Sequence, residues 1–431
     1  MKRLNITLVI LMLICLSSKA QRSKYDIGEI ITPMHSFIKE KYNTIQVPGE
    51  DSTRLNNFFH KIDTLLCYGE GRINILHIGG SHVQADVFSH QVRKNLDNIN
   101  GDFQTPRGFI FPYSIAKTNN PPNYKVSYTG VWEGERNVKR TRGVPLGVGG
   151  ITVYTSDPEA QVNITLNPDS VYRWEFEQLR LIGYVEDGSC MVTPVLYYNN
   201  DTIYGQLDLS LYNTYIFELP APDYSFSMGF IQHDTIPHTF VINGFIPEKE
   251  TPGIVYHSIG INGASVPSYL KCEDFENELK NLQPDLIIFG IGINDAVPKD
   301  FKPEDFKNNY SYLLEIAERV NPDCAFIFLT NNDSFRRVAR RRYLVNTNGT
   351  LARKAFFELA EKYNAGVWDL FTLMGGLNSM RKWQNAGLAQ VDKIHFTRPG
   401  YVLLGDMLYN ALIQYYKKLE STIEIDDYRL P

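Results

Sequence analysis

The chain has 431 residues, 43% of them hydrophobic and 21% charged, with a formal net charge of −5. That length allows a full-sized core plus a second module, the ordinary composition excludes a disordered chain, and the acidic balance argues against a nucleic-acid partner. The five cysteines include no C-x-x-C pair and no His/Cys cluster at zinc spacing, so no metal and no dense disulfide framework is expected.

Residues 1–20 carry Lys2 and Arg3, an apolar run from Leu8 to Leu16, and the small-polar end Ser17–Ser18–Lys19–Ala20. This is the three-part pattern of a signal peptide cleaved after Ala20, with an uncleaved anchor as the alternative. The apolar run is too short for a permanent span, so a periplasmic or secreted chain with no transmembrane segment after cleavage is expected. Ile14 makes Cys15 a poor lipidation site. Loss of Lys2, Arg3 and Lys19 takes the net charge from −5 to −8. Of the remaining cysteines, Cys67, Cys190, Cys272 and Cys324, two could pair in an exported chain, which leaves the disulfide state open.

An N-terminal helical segment is expected over 21–70, with "STRLNNFFHKIDTLLC" at helical spacing leading into a strand at Ile73–Ile78. "HVQADVFSHQVRKNLDNI" after Ser81 again reads as helix. Strand, glycine turn and helix open an α/β unit, assigned here to 71–111. From about Gly101 the pattern changes to short alternating runs, "QVNITL", "YRWEFEQLRLIGYV", "TPVLYY", "QLDLSL" and "HTFVING", separated by turn signals. They predict an inserted β-sandwich over 112–250. The α/β rhythm resumes over 251–420, with strands in "GIVYHSIGINGAS", "DLIIFGIGIND", "CAFIFLTNND" and "AGVWDLF". Helices are expected near 268–281, 303–320 and 347–363, and in "RPGYVLLGDMLYNALIQYYKKL" before a tail at 421–431. Strands that are nearly all apolar suit a parallel sheet covered on both faces.

Polar residues recur at the C-terminal ends of these strands, where open α/β sheets place their sites. Ser81 follows the first, Gly263 the second, and Asn294 with Asp295 the third, while Asp392 and His395 share a loop before the last helix. A serine hydroxyl attacks only when a histidine takes its proton, and the histidine needs a carboxylate to orient it. Asp392 and His395, three residues apart, suit those two roles. The N–H groups of Ser81 and Gly263 and the Asn294 amide suit the donors that a developing oxyanion requires.

"GGSH", "GINGAS", "GIND" and "DKIH", in this order, resemble the four blocks of the SGNH (GDSL-type) hydrolases. The resemblance implies a flavodoxin-like three-layer α/β/α fold with a parallel sheet, interrupted here by the β-sandwich. It further implies catalytic Ser81, Asp392 and His395, an oxyanion hole of Ser81, Gly263 and Asn294, and no cofactor. Gly80 departs from the family pattern, which usually has Asp there. His82 after the nucleophile and the β-rich insertion look like the peptidoglycan O-acetylesterases, whose inserted module is carbohydrate-binding-like. The expected activity is therefore a carbohydrate O-acetylesterase acting on peptidoglycan or another acetylated glycan. A xylan-type acetyl esterase, a glycan O-acetyltransferase and an inactive binding protein are the alternatives.

Other polar and aromatic residues have plainer readings. His82 receives no role, and His77, within the apolar strand, reads as core. The basic run Arg336–Arg342 reads as a solvated face, or alternatively as a rim that attracts an anionic substrate. Trp132, Trp174, Tyr197 and Tyr198 read as core and not as sugar platforms.

Overall fold

The computed structural model describes residues 27–97, 99, 105–170, 173–340 and 342–427, with side chains as far as 421. The leader expected at 1–20 lies outside them, and no helix among the described residues is long and apolar enough to cross a membrane.

Six strands form the central sheet, in the order Ile45–Gln46, Gly366–Trp368, Ala325–Leu329, Leu286–Gly290, Arg72–Gly79 and Gly253–Gly260. Every adjacent pair is parallel except the two-residue edge strand Ile45–Gln46, which runs antiparallel to Gly366–Trp368. Alternate residues go to opposite faces, so wholly apolar strands build two cores. Ile73, Ile75, Leu286, Ile288 and Ile327 pack with the helices Thr53–Tyr68, Phe88–Asp97 and Arg398–Asp427. Leu76, Ile78, Ile287, Phe289, Phe326 and Phe328 pack on the other side with Phe275–Leu282, Pro303–Val320 and Asn348–Tyr363. The result is the three-layer α/β/α arrangement with a parallel sheet.

Two antiparallel sheets interrupt it. One has six strands, in the order Gln206–Asp208, Thr214–Asp223, Phe176–Val185, Phe240–Glu248, Ile151–Thr155 and Glu133–Arg136; the other has five, Tyr124–Thr129, Gln161–Leu166, Ser225–Gln232, Val192–Tyr198 and Asp201–Tyr204. Val153, Leu181, Phe217 and Ile242 of the first share one buried cluster with Ile164, Leu196, Met228 and Phe230 of the second, so the module is a sandwich. Trp174 is fully buried and Trp132 packs on the same core, while Tyr197 is 41% exposed, so the core reading fails for that tyrosine.

Several elements are shorter than expected. The stretch after Ser81 is two helices, Ser81–Gln84 and Phe88–Asp97, because Asp86 turns to φ 44° and directs its carboxylate into the core. The strand expected in "YRWEFEQLRLIGYV" begins only at Phe176, after Trp174 takes φ 47°. The "QLDLSL" strand stops at Asp208, whose carboxylate accepts the Ser210 N–H at 2.7 Å and closes a turn. The helix near 268–281 is likewise divided into Val266–Tyr269 and Phe275–Leu282. Features not foreseen include the Ile45–Gln46 strand and a hairpin of Phe335–Ala339 with Arg342–Val345 formed by the basic run. Cys67, Cys190, Cys272 and Cys324 are all unpaired.

Candidate active site

Because the strands that precede Ser81, Gly263 and Asn294 are neighbours in the sheet, residues far apart in sequence reach one end of it. Ser81 opens the short helix Ser81–Gln84, which sits directly on the strand ends. A Cβ on Gly79 would lie 2.3 Å from Val83 Cγ2, so only glycine lets this helix fold back so tightly. Gly80 is under no such demand, since its Cβ would meet nothing nearer than Asn294 Nδ2 at 3.5 Å.

Ser81 Oγ lies 2.8 Å from His395 Nε2, and His395 Nδ1 lies 2.7 Å from Asp392 Oδ2. The other carboxylate oxygen, Asp392 Oδ1, accepts the N–H groups of Ile394 at 2.9 Å and His395 at 3.0 Å, which locks the loop. Partial burial pushes the Asp392 carboxyl up, but the hydrogen bond from His395 and these two N–H groups outweigh it and hold its pKa at about 2. A carboxylate that stays ionised fixes the His395 tautomer with a proton on Nδ1, which leaves Nε2 free to accept one from Ser81.

The expected donors surround the same turn. Gly263 adopts φ +82°, which L side chains rarely take. Neither its N–H nor that of Ser81 has an acceptor among the described residues. Asn294 Nδ2 donates to the Ala264 carbonyl at 2.8 Å, which leaves its second hydrogen beside Gly80. Asp295 accepts the Val266 N–H at 3.2 Å and so ties the Asn294 loop to the Gly263 loop; burial raises its pKa to about 6. A groove of about 330 Å³ opens from Asn294 and Asp295 past Ser265 and Phe301. Two larger clefts, of about 590 and 530 Å³, open around Asn281 at the opposite ends of the strands and contain none of these residues.

Three supporting residues were not singled out from the sequence. Gln84 accepts the Asn262 N–H at 2.6 Å and so steadies the Gly263 turn; its only sequence signal is its position three residues after Ser81. Asn332 donates to the Ile394 carbonyl at 3.0 Å within the His395 loop. Tyr401 meets His82, whose Nδ1 lies 2.7 Å from its hydroxyl. Burial, together with the nearby His395, pushes the His82 pKa down to about 3, so a neutral ring stands 5.3 Å from that of His395. His77 is fully buried as expected, with Nδ1 on the Tyr256 hydroxyl at 2.8 Å, but its Nε2 has no partner among the described residues. His60, Asp63 and Glu420 bring ligand atoms within 4.8 Å of one another, on helices and not at the strand ends that carry the site.

Residues 247–403 match the GDSL-like lipase/acylhydrolase family. A solved structure of a peptidoglycan O-acetylesterase superposes with a TM-score of 0.70 at 20% identity, covering 87% of this chain and 99% of that one. An acetyl xylan esterase matches 37% of this chain and 81% of its own, at 17% identity and a TM-score of 0.30. A GDSL-like lipase from Bacteroides thetaiotaomicron matches 38% and 76%, at 16% identity and a TM-score of 0.28. No curated protein matches the chain in sequence.

Proposed function

We propose that this chain, whose residues 247–403 carry a GDSL-like acylhydrolase segment, is a metal-independent serine O-acetylesterase acting on peptidoglycan outside the cytoplasm. The observation that carries the reading is the continuous hydrogen-bonded path from Ser81 through His395 to Asp392. The likeness to a peptidoglycan O-acetylesterase runs through both the α/β layers and the inserted sandwich, which supports that glycan over others. The signal-like residues 1–20 support export.

In the first half-reaction Ser81 Oγ attacks the carbonyl carbon of the acetyl ester as its proton passes to His395 Nε2. The carbonyl oxygen becomes an oxyanion held by the Ser81 and Gly263 N–H groups and the Asn294 amide. Collapse breaks the bond to the sugar oxygen, which takes the proton from His395 and leaves as an alcohol. Water, deprotonated by His395, then attacks the acetyl-Ser81 ester; collapse breaks the bond between Ser81 Oγ and the acyl carbon, Oγ takes the proton back from His395, and acetate leaves. Asp392 stays ionised throughout and stabilises the imidazolium.

The test is acetate release from O-acetylated peptidoglycan, measured beside acetylated xylan and with an acceptor sugar present. Ser81→Ala should lower the rate by at least about 10³-fold with the fold intact. A wild-type rate for Ser81→Ala would refute the mechanism. Faster release from xylan would move the substrate to a neutral polysaccharide, and acetyl transfer to the acceptor would make the enzyme a transferase.

A further inference from the structure

Two basic segments of this acidic chain border the Ser81 site. The first is the hairpin Phe335–Ala339 and Arg342–Val345. Its base is tied to two of the loops that bear site residues. The Phe335 N–H donates to the Lys393 carbonyl at 3.2 Å, next to Asp392. On the other strand, Asn346 Nδ2 donates to the Ala296 carbonyl at 3.0 Å, two residues past Asn294. The Lys393 ammonium also lies over the Tyr343 ring at 4.9 Å, which pins the hairpin to the His395 loop. Above this base Arg337, Arg340 and Arg342 are exposed, and neither they nor Arg336 reach a carboxylate among the described residues.

The second segment is the loop 136–142 of the sandwich, "RNVKRTR". Val138 Cγ1 lies 3.9 Å from the position a Cβ on Gly263 would take, so this loop borders the site on its Gly263 side. Lys139 is paired with Glu135 and Arg142 with Glu273, whereas Arg136 and Arg140 have no carboxylate partner among the described residues. Cations without carboxylate partners among the described residues therefore flank the site on the Gly263 side and on the side of Asn294 and His395.

In a chain of net charge −5, clustering like charges raises self-repulsion without adding to the fold. Guanidinium groups match carboxylates in geometry and charge, and a neutral acetylated polysaccharide would leave them all unused. From this we infer that the hairpin and the 136–142 loop form a subsite that holds carboxylates of the acetylated glycan. The inference rests on the esterase reading above and assigns the residues that recognise its substrate's charge. Each exposed contact is weak and screened by salt, with a Debye length of about 8 Å at physiological ionic strength. The effect therefore falls on KM and its salt dependence, and leaves the chemistry at Ser81 alone.

The test uses the full chain and soluble O-acetylated peptidoglycan fragments, either native or with their carboxylates capped as amides. Capping should raise the wild-type KM about tenfold with kcat little changed, as should raising the salt concentration. The triple variant Arg140→Glu, Arg337→Glu and Arg340→Glu should show the higher KM on native fragments and no longer distinguish capped from uncapped. A Gln version at the same three positions provides the same comparison if charge reversal disturbs folding. Equal wild-type KM on the two substrates, or an unchanged KM in the folded variants, overturns the inference. Hydrolysis of 4-nitrophenyl acetate, which has no carboxylate, separates the two levels. If wild-type turns it over and Ser81→Ala does not, the esterase reading stands whatever the KM ratio. If wild-type is inert on this ester and on the glycan, both readings fall.

Discussion

Gly79 and Gly80, adjacent before Ser81, serve the turn differently. A Cβ on Gly79 would lie inside contact distance of Val83, whereas one on Gly80 would reach only ordinary van der Waals distances. Gly79→Ala should therefore lower both stability and turnover, while Gly80→Ala should leave the melting temperature within a degree or two; thermal melts of the two variants make the comparison. Where the hydrolase family usually has Asp, Gly80 leaves the space beside the Asn294 amide clear. In the proposed mechanism the Asn294 amide acts on charge that develops only in the transition state, so Asn294→Ala should reduce kcat by about 10²–10³ with little change in KM. Steady-state kinetics on a small acetyl ester would check this, and equal losses in binding and turnover would count against the oxyanion assignment.

At the scale of elements, the helix Phe275–Leu282 carries a buried carboxyl at Glu278 against the sandwich. Its oxygens meet the Val148 N–H at 2.9 Å and the amide of Asn243, whose own Oδ1 has no partner among the described residues. Burial raises the Glu278 pKa to about 8, the two hydrogen bonds lowering it only in part. With the Asn243 amide turned, the protonated acid donates to Oδ1 and still accepts from Val148. A folded pKa above the unfolded value of about 4.5 means that folding holds this proton, so stability is full below pH 4.5 and declines as pH rises towards 8. Glu278→Gln keeps the donor without the titration. The variant should match wild-type at pH 5 and melt at a higher temperature at pH 9, and parallel melting curves at both pH values would refute this account. The break at Asp86 belongs to the same scale. Residues 81–97 have helical spacing throughout, yet the chain turns left-handed at Asp86 to reach cations that local periodicity does not reveal.

Across the whole molecule, those cations join the sandwich to the α/β layers. Burial opposes ionisation of Asp86, but the Arg93 and Arg107 guanidiniums outweigh it and hold the carboxyl well below its usual range. Asn123, just before the first strand of the sandwich, donates to the same carboxylate at 2.6 Å and accepts from Arg107 at 3.2 Å. Removing Arg107 takes away the nearer of the two guanidiniums that offset the buried Asp86 charge, and with it the donor to Asn123, so Arg107→Ala should cost about 3–5 kcal/mol in chemical denaturation. A loss below about 1 kcal/mol would show that the junction does not depend on this pair. Much of the architecture was legible because it is written locally: apolar runs mark the strands, glycine and proline the turns, and "GGSH", "GIND" and "DKIH" fall at strand ends in order. The pairing of Ser81 with His395 was legible only as a set of residue types, since the 2.8 Å contact arises from where two loops 314 positions apart are delivered by the sheet. Tyr401 behind His82 and Gln84 beneath the Gly263 turn carry no periodic or motif signal, and neither does the Asp86 junction; the basic run is visible in the sequence, but its hairpin fold and its place beside Asp392 are not. What the sequence by itself determined is the order of elements and the kinds of chemistry available, both set by short-range pattern. Which side chains meet was decided only by the tertiary structure, because buried charges and loop-to-loop hydrogen bonds depend on strand order and packing across hundreds of residues.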